Sequence, residues 1–246
     1  MIESPFTHGY ATRFQDGSKV PDFSTFSSLL RVSASYEMPK LRARLLENIR
    51  GAYPESFEGL DPSKTLGENM FDAPKPHPNA ALNLFVQQKV KSALPMAYYM
   101  AARRGLNSLM DTRLPSNATL SGRTLRSAMR GLMALREMEL EETHRILFTI
   151  KDNSNRVGCS STDCPSQRPG GPLDAGLIGA YQRTLDRTTG SADGGTRILQ
   201  VLSAGEISEG AESRFCQVCA GKMEAAHGEV RRKAWAALPE AFGLRA

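Results

Sequence analysis

The sequence predicts a mainly α-helical fold, and three observations lead to this prediction. Apolar residues recur at the spacing of one helix face in stretches that together cover most of the chain. No stretch alternates between apolar and polar residues with a period of two, as a half-buried strand would, and no segment repeats another. The composition, 40% apolar and 23% charged over 246 residues, is that of a globular protein large enough to bury a substantial core.

The first two predicted helices lie within residues 22–53 and are separated by a break near Ser35. Asp22 is a suitable N-cap for the first helix, because its side chain can accept a bond from an unpaired amide. Gly51 and Pro54 end the second helix. The apolar stripes are Phe23, Phe26, Leu29 and Leu30 on the first helix and Met38, Leu41, Leu45, Leu46, Ile49 and Tyr53 on the second. The short connection predicts that the two helices pack as neighbours.

The rest of the chain predicts a linker followed by a helical body. The proline-rich stretch 54–78 has little periodicity and is typical of a linker or surface loop. Helices are then predicted from Asn79 to Ala93, from Pro95 to a left-handed Gly105, across 124–150, and across 212–238, where Pro239 ends the last one.

The charge and the hydropathy exclude some classes of protein. The net charge of +5, from 31 basic and 26 acidic residues, is modest and dispersed. Its densest cluster, residues 231–233, is short and typical of a solvated helix face, so we expect no nucleic-acid partner. The longest uncharged stretches are too polar or too short to span a bilayer, and the amino terminus does not resemble a secretory signal. We therefore expect an intracellular protein, in the cytoplasm or nucleus, with reduced thiols.

All four cysteines occur in two tight pairs, and this pattern predicts a metal site. Cys159 and Cys164 lie in a polar loop rich in Ser, Gly and Pro, and Cys216 and Cys219 form a C-x-x-C near the carboxyl end. Such spacings let paired thiolates reach one tetrahedral ion, and positions 216 and 219 of a helix would share a face. Closing the roughly 50-residue loop between the pairs costs about 3–4 kcal/mol. Structural zinc supplies about 10–16 kcal/mol, so we predict one zinc ion on all four thiolates.

Two other interpretations of the cysteines stay open. A redox C-x-x-C would follow a strand in a βαβ unit and begin a helix, but the surrounding sequence predicts helices only. Alternatively, the four thiols are small buried apolar groups. His227 is a substitute zinc ligand, although a single helical histidine is more often a packing residue.

Two segments carry a resemblance to a known family. In residues 23–54 the matching positions are Leu29, Leu30, Tyr36, Glu37, Leu41, Arg42 and Leu45. The carboxyl end supplies Cys216, Cys219, Arg231, Arg232, Trp235, Leu238, Pro239, Phe242, Gly243 and Leu244, in that order. The first segment resembles the last two helices of a BTB/POZ domain, in the form found in fungal proteins of the basidiomycete type. The second resembles the terminus of the helical extension in those proteins.

The resemblance implies a domain organisation. Residues 1–53 would be the C-terminal part of a BTB/POZ-like domain, 54–78 a linker, and 79–246 a helical extension that carries both cysteine pairs. The strands and first helices that form the BTB dimer face would be missing, which disfavours self-association. Their absence would also leave the stripes of residues 22–53, including Leu29, Leu30, Leu41 and Leu45, partly exposed.

The resemblance also implies a role in protein–protein interaction, as an adaptor or scaffold whose partner the sequence does not identify. No motif of a hydrolase, zinc protease or phosphate-binding loop is present, so we expect no catalysis. Two alternatives stay open. One is an enzyme whose site is assembled from scattered residues, and the other is a fragment of a longer BTB protein with no function of its own.

Overall fold

The computed structural model describes residues 22–60, 76–154, 196, 198, 199 and 216–244, and these residues form seven α-helices without any strand. The prediction of a mainly α-helical protein is confirmed. Short 3₁₀ turns at Phe57–Gly59 and Lys91–Ala93 join some of the helices. The helices are α1 (Phe23–Ser35), α2 (Pro39–Ala52), α3 (Pro78–Gln87), α4 (Leu94–Ala102), α5 (Gly105–Leu109), α6 (Gly122–Ser154) and α7 (Gln217–Ala241).

The predicted cap of α1 is present. One carboxylate oxygen of Asp22 accepts a hydrogen bond from the Thr25 amide at 2.9 Å, and the other accepts from the Thr25 hydroxyl at 2.6 Å. These bonds satisfy an amide that has no partner inside the helix. Helix α2 begins at Pro39, where the missing amide proton of proline costs nothing.

The apolar stripes of α1 and α2 are less exposed than the resemblance implies. Leu30 and Leu45 are fully buried, and Leu29 and Leu41 are half-buried against the same core. The expectation that this stripe stays partly exposed is therefore wrong for Leu30 and Leu45. The stripe is covered because α1 and α2 share one hydrophobic core with α3 to α7. The Tyr53 ring, at the end of α2, meets the Phe85 ring of α3 edge to face, with centroids 4.9 Å apart.

The helix predicted from Asn79 to Ala93 is interrupted. Helix α3 ends at Gln87, and Lys89 has a left-handed backbone with φ of 53°. The Val90 amide donates to the Phe85 carbonyl at 3.0 Å and closes this turn. Gly105 has the expected positive φ, 85°, but it begins the short helix α5, which the sequence analysis did not predict.

Helix α4 lies at the centre of the molecule. Every residue from Met96 to Ala102 is buried, and α4 contacts α3, α5, α6 and α7. A helix that is apolar all round requires neighbours on every side. The Tyr99 hydroxyl, fully buried on α4, accepts a hydrogen bond from the Leu199 amide at 3.3 Å.

Helices α6 and α7 form the most extensive helix contact among the described residues. Phe242, which directly follows α7, packs against α6. The Phe242 ring is fully buried and stacks on Tyr98 of α4, with centroids 5.1 Å apart. A β-carbon at Gly131 of α6 would overlap this ring. Glycine at position 131 is therefore what lets the ring approach the α6 backbone.

Pro239 does not end the last helix, contrary to the sequence prediction. Helix α7 continues through Pro239 to Ala241, and Gly243 ends it with φ of 68°. The Leu244 amide donates to the Pro239 carbonyl at 2.7 Å and the Gly243 amide to the Glu240 carbonyl at 2.9 Å. This pair of bonds is a Schellman motif, which requires the left-handed residue at 243.

Candidate functional site

The C-x-x-C sits at the amino end of α7. Cys216 is the N-cap, with an extended backbone, and its carbonyl accepts from the Ala220 amide at 2.9 Å. Cys219 is the third residue of the helix and is buried. The expectation that both cysteines lie within a helix is wrong for Cys216. The N-cap and the third helical residue are nevertheless adjacent, so both thiols belong to the same helix end.

The second cysteine pair, Cys159 and Cys164, lies outside the described residues, so the four-thiolate zinc site stays a prediction. Within the described ranges, no three His, Cys, Asp or Glu side chains are grouped to hold a metal ion. His227 is buried on α7, eight residues after Cys219, which is about 12 Å along the helix axis. That separation exceeds the span of a tetrahedral site, so His227 is a poor substitute ligand for the pair.

The redox interpretation meets one of its two requirements. Cys216 begins a helix, as the first thiol of a redox C-x-x-C does. No strand precedes it among the residues that the structure describes, so the βαβ context is not seen there.

A second polar cluster, which the sequence analysis missed, surrounds His77 at the start of α3. The Nδ1 atom of His77 accepts from the Asn79 amide at 3.3 Å, and its Nε2 atom lies 3.2 Å from the Ser108 hydroxyl on α5. The Asn79 side chain, itself fully buried, donates to the Ser108 carbonyl at 3.3 Å. The sequence does contain a signal for this cluster. His77 directly precedes Pro78, and a polar residue before a proline is typical of a helix N-cap.

The geometry of the His77 cluster fixes the tautomer of the ring. Because Nδ1 accepts a hydrogen bond from a backbone amide, the proton of the neutral ring is on Nε2, which then donates to Ser108. A base that activates a serine must instead accept the hydroxyl proton at that nitrogen. The pair is therefore arranged to hold α3 against α5 and not to create a nucleophile.

Burial lowers the pKa of His77 from its ordinary value of 6.5, and the nearby Arg104 guanidinium lowers it further. The Asp111 carboxylate acts in the opposite direction but does not outweigh them. The cluster thus favours the neutral ring.

The turn between α1 and α2 exposes apolar side chains. Tyr36 is 75% exposed and Val32, one helical turn earlier, is 41% exposed. Glu37 has a left-handed backbone with φ of 49°, which is uncommon for a residue other than glycine. The Met38 amide donates to the Ser33 carbonyl at 2.9 Å and closes the turn. The backbone conformation that presents Tyr36 is therefore fixed by hydrogen bonding.

A shallow cleft of about 160 Å³ separates α1 from α3. Its walls are polar and include Ser24, Ser27, Arg31 and Gln87. Arg31 is 3.5 Å from the Gln87 side-chain oxygen. The cleft is too small for a cofactor of ordinary size.

The basic cluster at 231–233 is largely engaged within the protein. Arg231 donates to the Leu199 carbonyl at 2.9 Å, and Lys233 forms an ion pair with Glu142 at 3.1 Å. The guanidinium carbons of Arg231 and Arg232 lie 5.4 and 5.6 Å from the centre of the Phe57 ring. The expectation of a solvated helix face is therefore wrong for Arg231, which is half-buried.

No protein-family model, curated protein or solved structure matches the chain. The BTB/POZ resemblance accordingly stays a prediction. No helix in the described part of the chain is both long and apolar enough to cross a bilayer.

Proposed function

We propose that the chain is a non-enzymatic protein-interaction module, an adaptor or scaffold of the BTB type, that binds its partner through the turn between α1 and α2. The observation that carries this proposal is the exposure of Tyr36, at 75%, on a backbone held in an unfavourable conformation at Glu37. A left-handed residue other than glycine costs on the order of 1 kcal/mol, and such strain is concentrated at functional sites. Tyrosine is also among the residues that contribute most to protein interfaces.

The charges around the turn indicate the chemistry of the partner. Arg31, Lys40 and Arg44 are exposed beside the turn, whereas Glu37 is the only acidic residue between positions 31 and 46. A complementary partner presents an apolar pocket for the Tyr36 ring with a carboxylate-rich rim. Such a rim would increase the association rate and make it dependent on salt concentration.

The test begins with a photo-crosslinking amino acid at position 36 and identifies the protein that it captures. That protein is then purified, and its affinity is measured for the wild type, for Tyr36→Ala and for the control Met133→Ala. Met133 is 68% exposed, close to the value for Tyr36, but lies on α6. Tyr36→Ala should weaken binding by about tenfold or more, since a buried aromatic anchor contributes this much to an interface. Met133→Ala and the wild type should bind alike. A purified partner that binds Tyr36→Ala as tightly as the wild type would contradict the proposal.

We propose in addition that one structural zinc ion joins Cys216 and Cys219 to Cys159 and Cys164. The support is the position of Cys216 and Cys219 in the same first turn of α7, where two thiolates can reach one ion. Because structural zinc contributes to folding, its removal should lower the melting temperature.

Metal analysis of protein purified without chelator should therefore give one zinc per chain. Zinc should be lost in the double variant Cys216→Ser/Cys219→Ser and also in Cys159→Ser/Cys164→Ser. Retention of zinc in the second double variant would remove that pair from the site. A metal-free wild type that melts identically with and without chelator would leave the cysteines as buried thiols.

A further inference from the structure

The His77 imidazole takes part both in the cap of α3 and in the contact between α3 and α5. His77 caps α3 through Nδ1 and reaches Ser108 of α5 through Nε2. Asn79, the residue whose amide His77 caps, also donates its side-chain amide to the Ser108 carbonyl. The cap and the contact between the two helices therefore share the same three residues.

We infer that this junction is an acid-sensitive switch, in which protonation of His77 breaks the cap and releases the first turn of α3. A proton on Nδ1 would face the Asn79 amide, so two donors would meet where a donor and an acceptor now bond. The added positive charge would also lie at the helix amino terminus, where the peptide dipoles already favour negative charge.

The surroundings of His77 oppose protonation of the ring while the junction is closed. In the described part of the chain, the charged groups that act on the ring are Arg104, which opposes its protonation, and Asp111, which favours it. The ring is half-buried, and Asn79 beside it is fully buried. Among the residues that the structure describes, the Oδ1 atom of Asn79 has no hydrogen-bond partner.

The direction of the pH effect follows from the pKa of His77. Its value in the folded protein lies below the ordinary 6.5, so the open form of the junction binds a proton more readily than the closed form. The stabilisation is complete above pH 6.5 and is lost as the pH falls through the lowered pKa. As the pH falls from 6.5 to the lowered pKa of His77, the fraction of molecules with an open junction should increase by up to about tenfold per pH unit.

Amide hydrogen exchange on the full chain tests the inference. Protection of the Asn79, Ala80 and Ala81 amides, corrected for the intrinsic effect of pH on exchange, should fall between about pH 7.5 and pH 5.5. The variant His77→Asn keeps an N-capping side chain but does not titrate, so its protection should stay constant. The control variant His144→Asn, on the exposed face of α6, should behave as the wild type.

Two results would overturn the inference: constant protection in the wild type, or an equal fall in His77→Asn. If His77→Asn does not fold, the wild type alone decides the question by NMR. The Asn79 amide shift should then follow the titration of the His77 ring, with a midpoint below pH 6.5. An Asn79 amide that does not respond to that titration would contradict the switch.

Discussion

Single residues determine how closely the last helix approaches its neighbours. Phe242 is fully buried because position 131 has no side chain, and the ring takes the space that a β-carbon would occupy. The Tyr98 ring also stacks on Phe242, so displacing the Phe242 ring would disturb this second contact. In the sequence, Gly131 is only an unfavourable residue inside a helix. Gly131 stabilises the fold through its contact with Phe242, more than 100 positions later in the chain, and hydrophobic periodicity cannot reveal such a contact.

Gly131→Ala should therefore destabilise the protein, although alanine favours a helix. Displacing a packed ring typically costs about 1–3 kcal/mol. Gly228→Ala is the matched control, because a β-carbon at that position on α7 would have none of the described residues' atoms within 4 Å outside its own helix backbone. The control should stabilise the protein by about 0.5–1 kcal/mol through helix propensity alone. Urea denaturation of both variants measures these changes, and equal changes of the same sign would show that the Phe242 contact is unimportant.

At the scale of elements, hydrophobic periodicity located the helices but not all of their ends. The cap by Asp22 and the start of α4 near Pro95 follow from local chemistry, and the structure confirms both. The interruption at Lys89 was missed because a lysine with positive φ has no local signal. The end of α7 was assigned to Pro239, but the helix continues through this residue to Ala241. Gly243, with its Schellman motif, is the residue that ends this helix.

Helices α1 and α7 end with the same left-handed geometry but with different residues, which leads to a paired prediction. Glu37 follows α1 with φ of 49°, and Gly243 follows α7 with φ of 68°. Glu37→Gly should stabilise the protein by about 1 kcal/mol, because only glycine adopts this region without strain. Gly243→Ala should destabilise it by about 1 kcal/mol or more, because a β-carbon at position 243 would also displace the Arg130 guanidinium. Thermal melts of the two variants measure both effects. A loss of stability in Glu37→Gly would mean that the backbone at position 37 is not strained.

The candidate sites were predictable only in part, because some of their residues are far apart in the sequence. The C-x-x-C is contiguous in sequence, so its residues could be named in advance, although Cys216 proved to be a cap. The His77 cluster joins residues about 30 positions apart, and only the preceding-proline signal at Pro78 marks one of its members. Tyr36 and Glu37 were singled out by the BTB resemblance, but their exposure and backbone strain required the structure.

On the scale of the whole molecule, one hydrophobic core connects α1 to α7. The described helices should therefore unfold in a single cooperative transition. The chain has one tryptophan, Trp235, which belongs to α7 and packs partly buried against the core. Its fluorescence therefore reports on the carboxyl end. Far-UV circular dichroism reports on all the helices. The two midpoints in urea should coincide, and separate midpoints would show that α7 unfolds independently of the rest.

The position of α4 also has a consequence for biosynthesis. Helix α4 is apolar on every side, yet α7, one of the helices that cover it, is translated more than 100 residues later. At ordinary elongation rates, α7 is synthesised on the order of ten seconds after α4. During that time the exposed apolar surface of α4 can bind chaperones or other nascent chains. We expect ribosome-bound chains that stop at residue 215 to crosslink to chaperones. Chains that include α7 should not crosslink to them. Equal crosslinking of both would show that α4 is protected without α7.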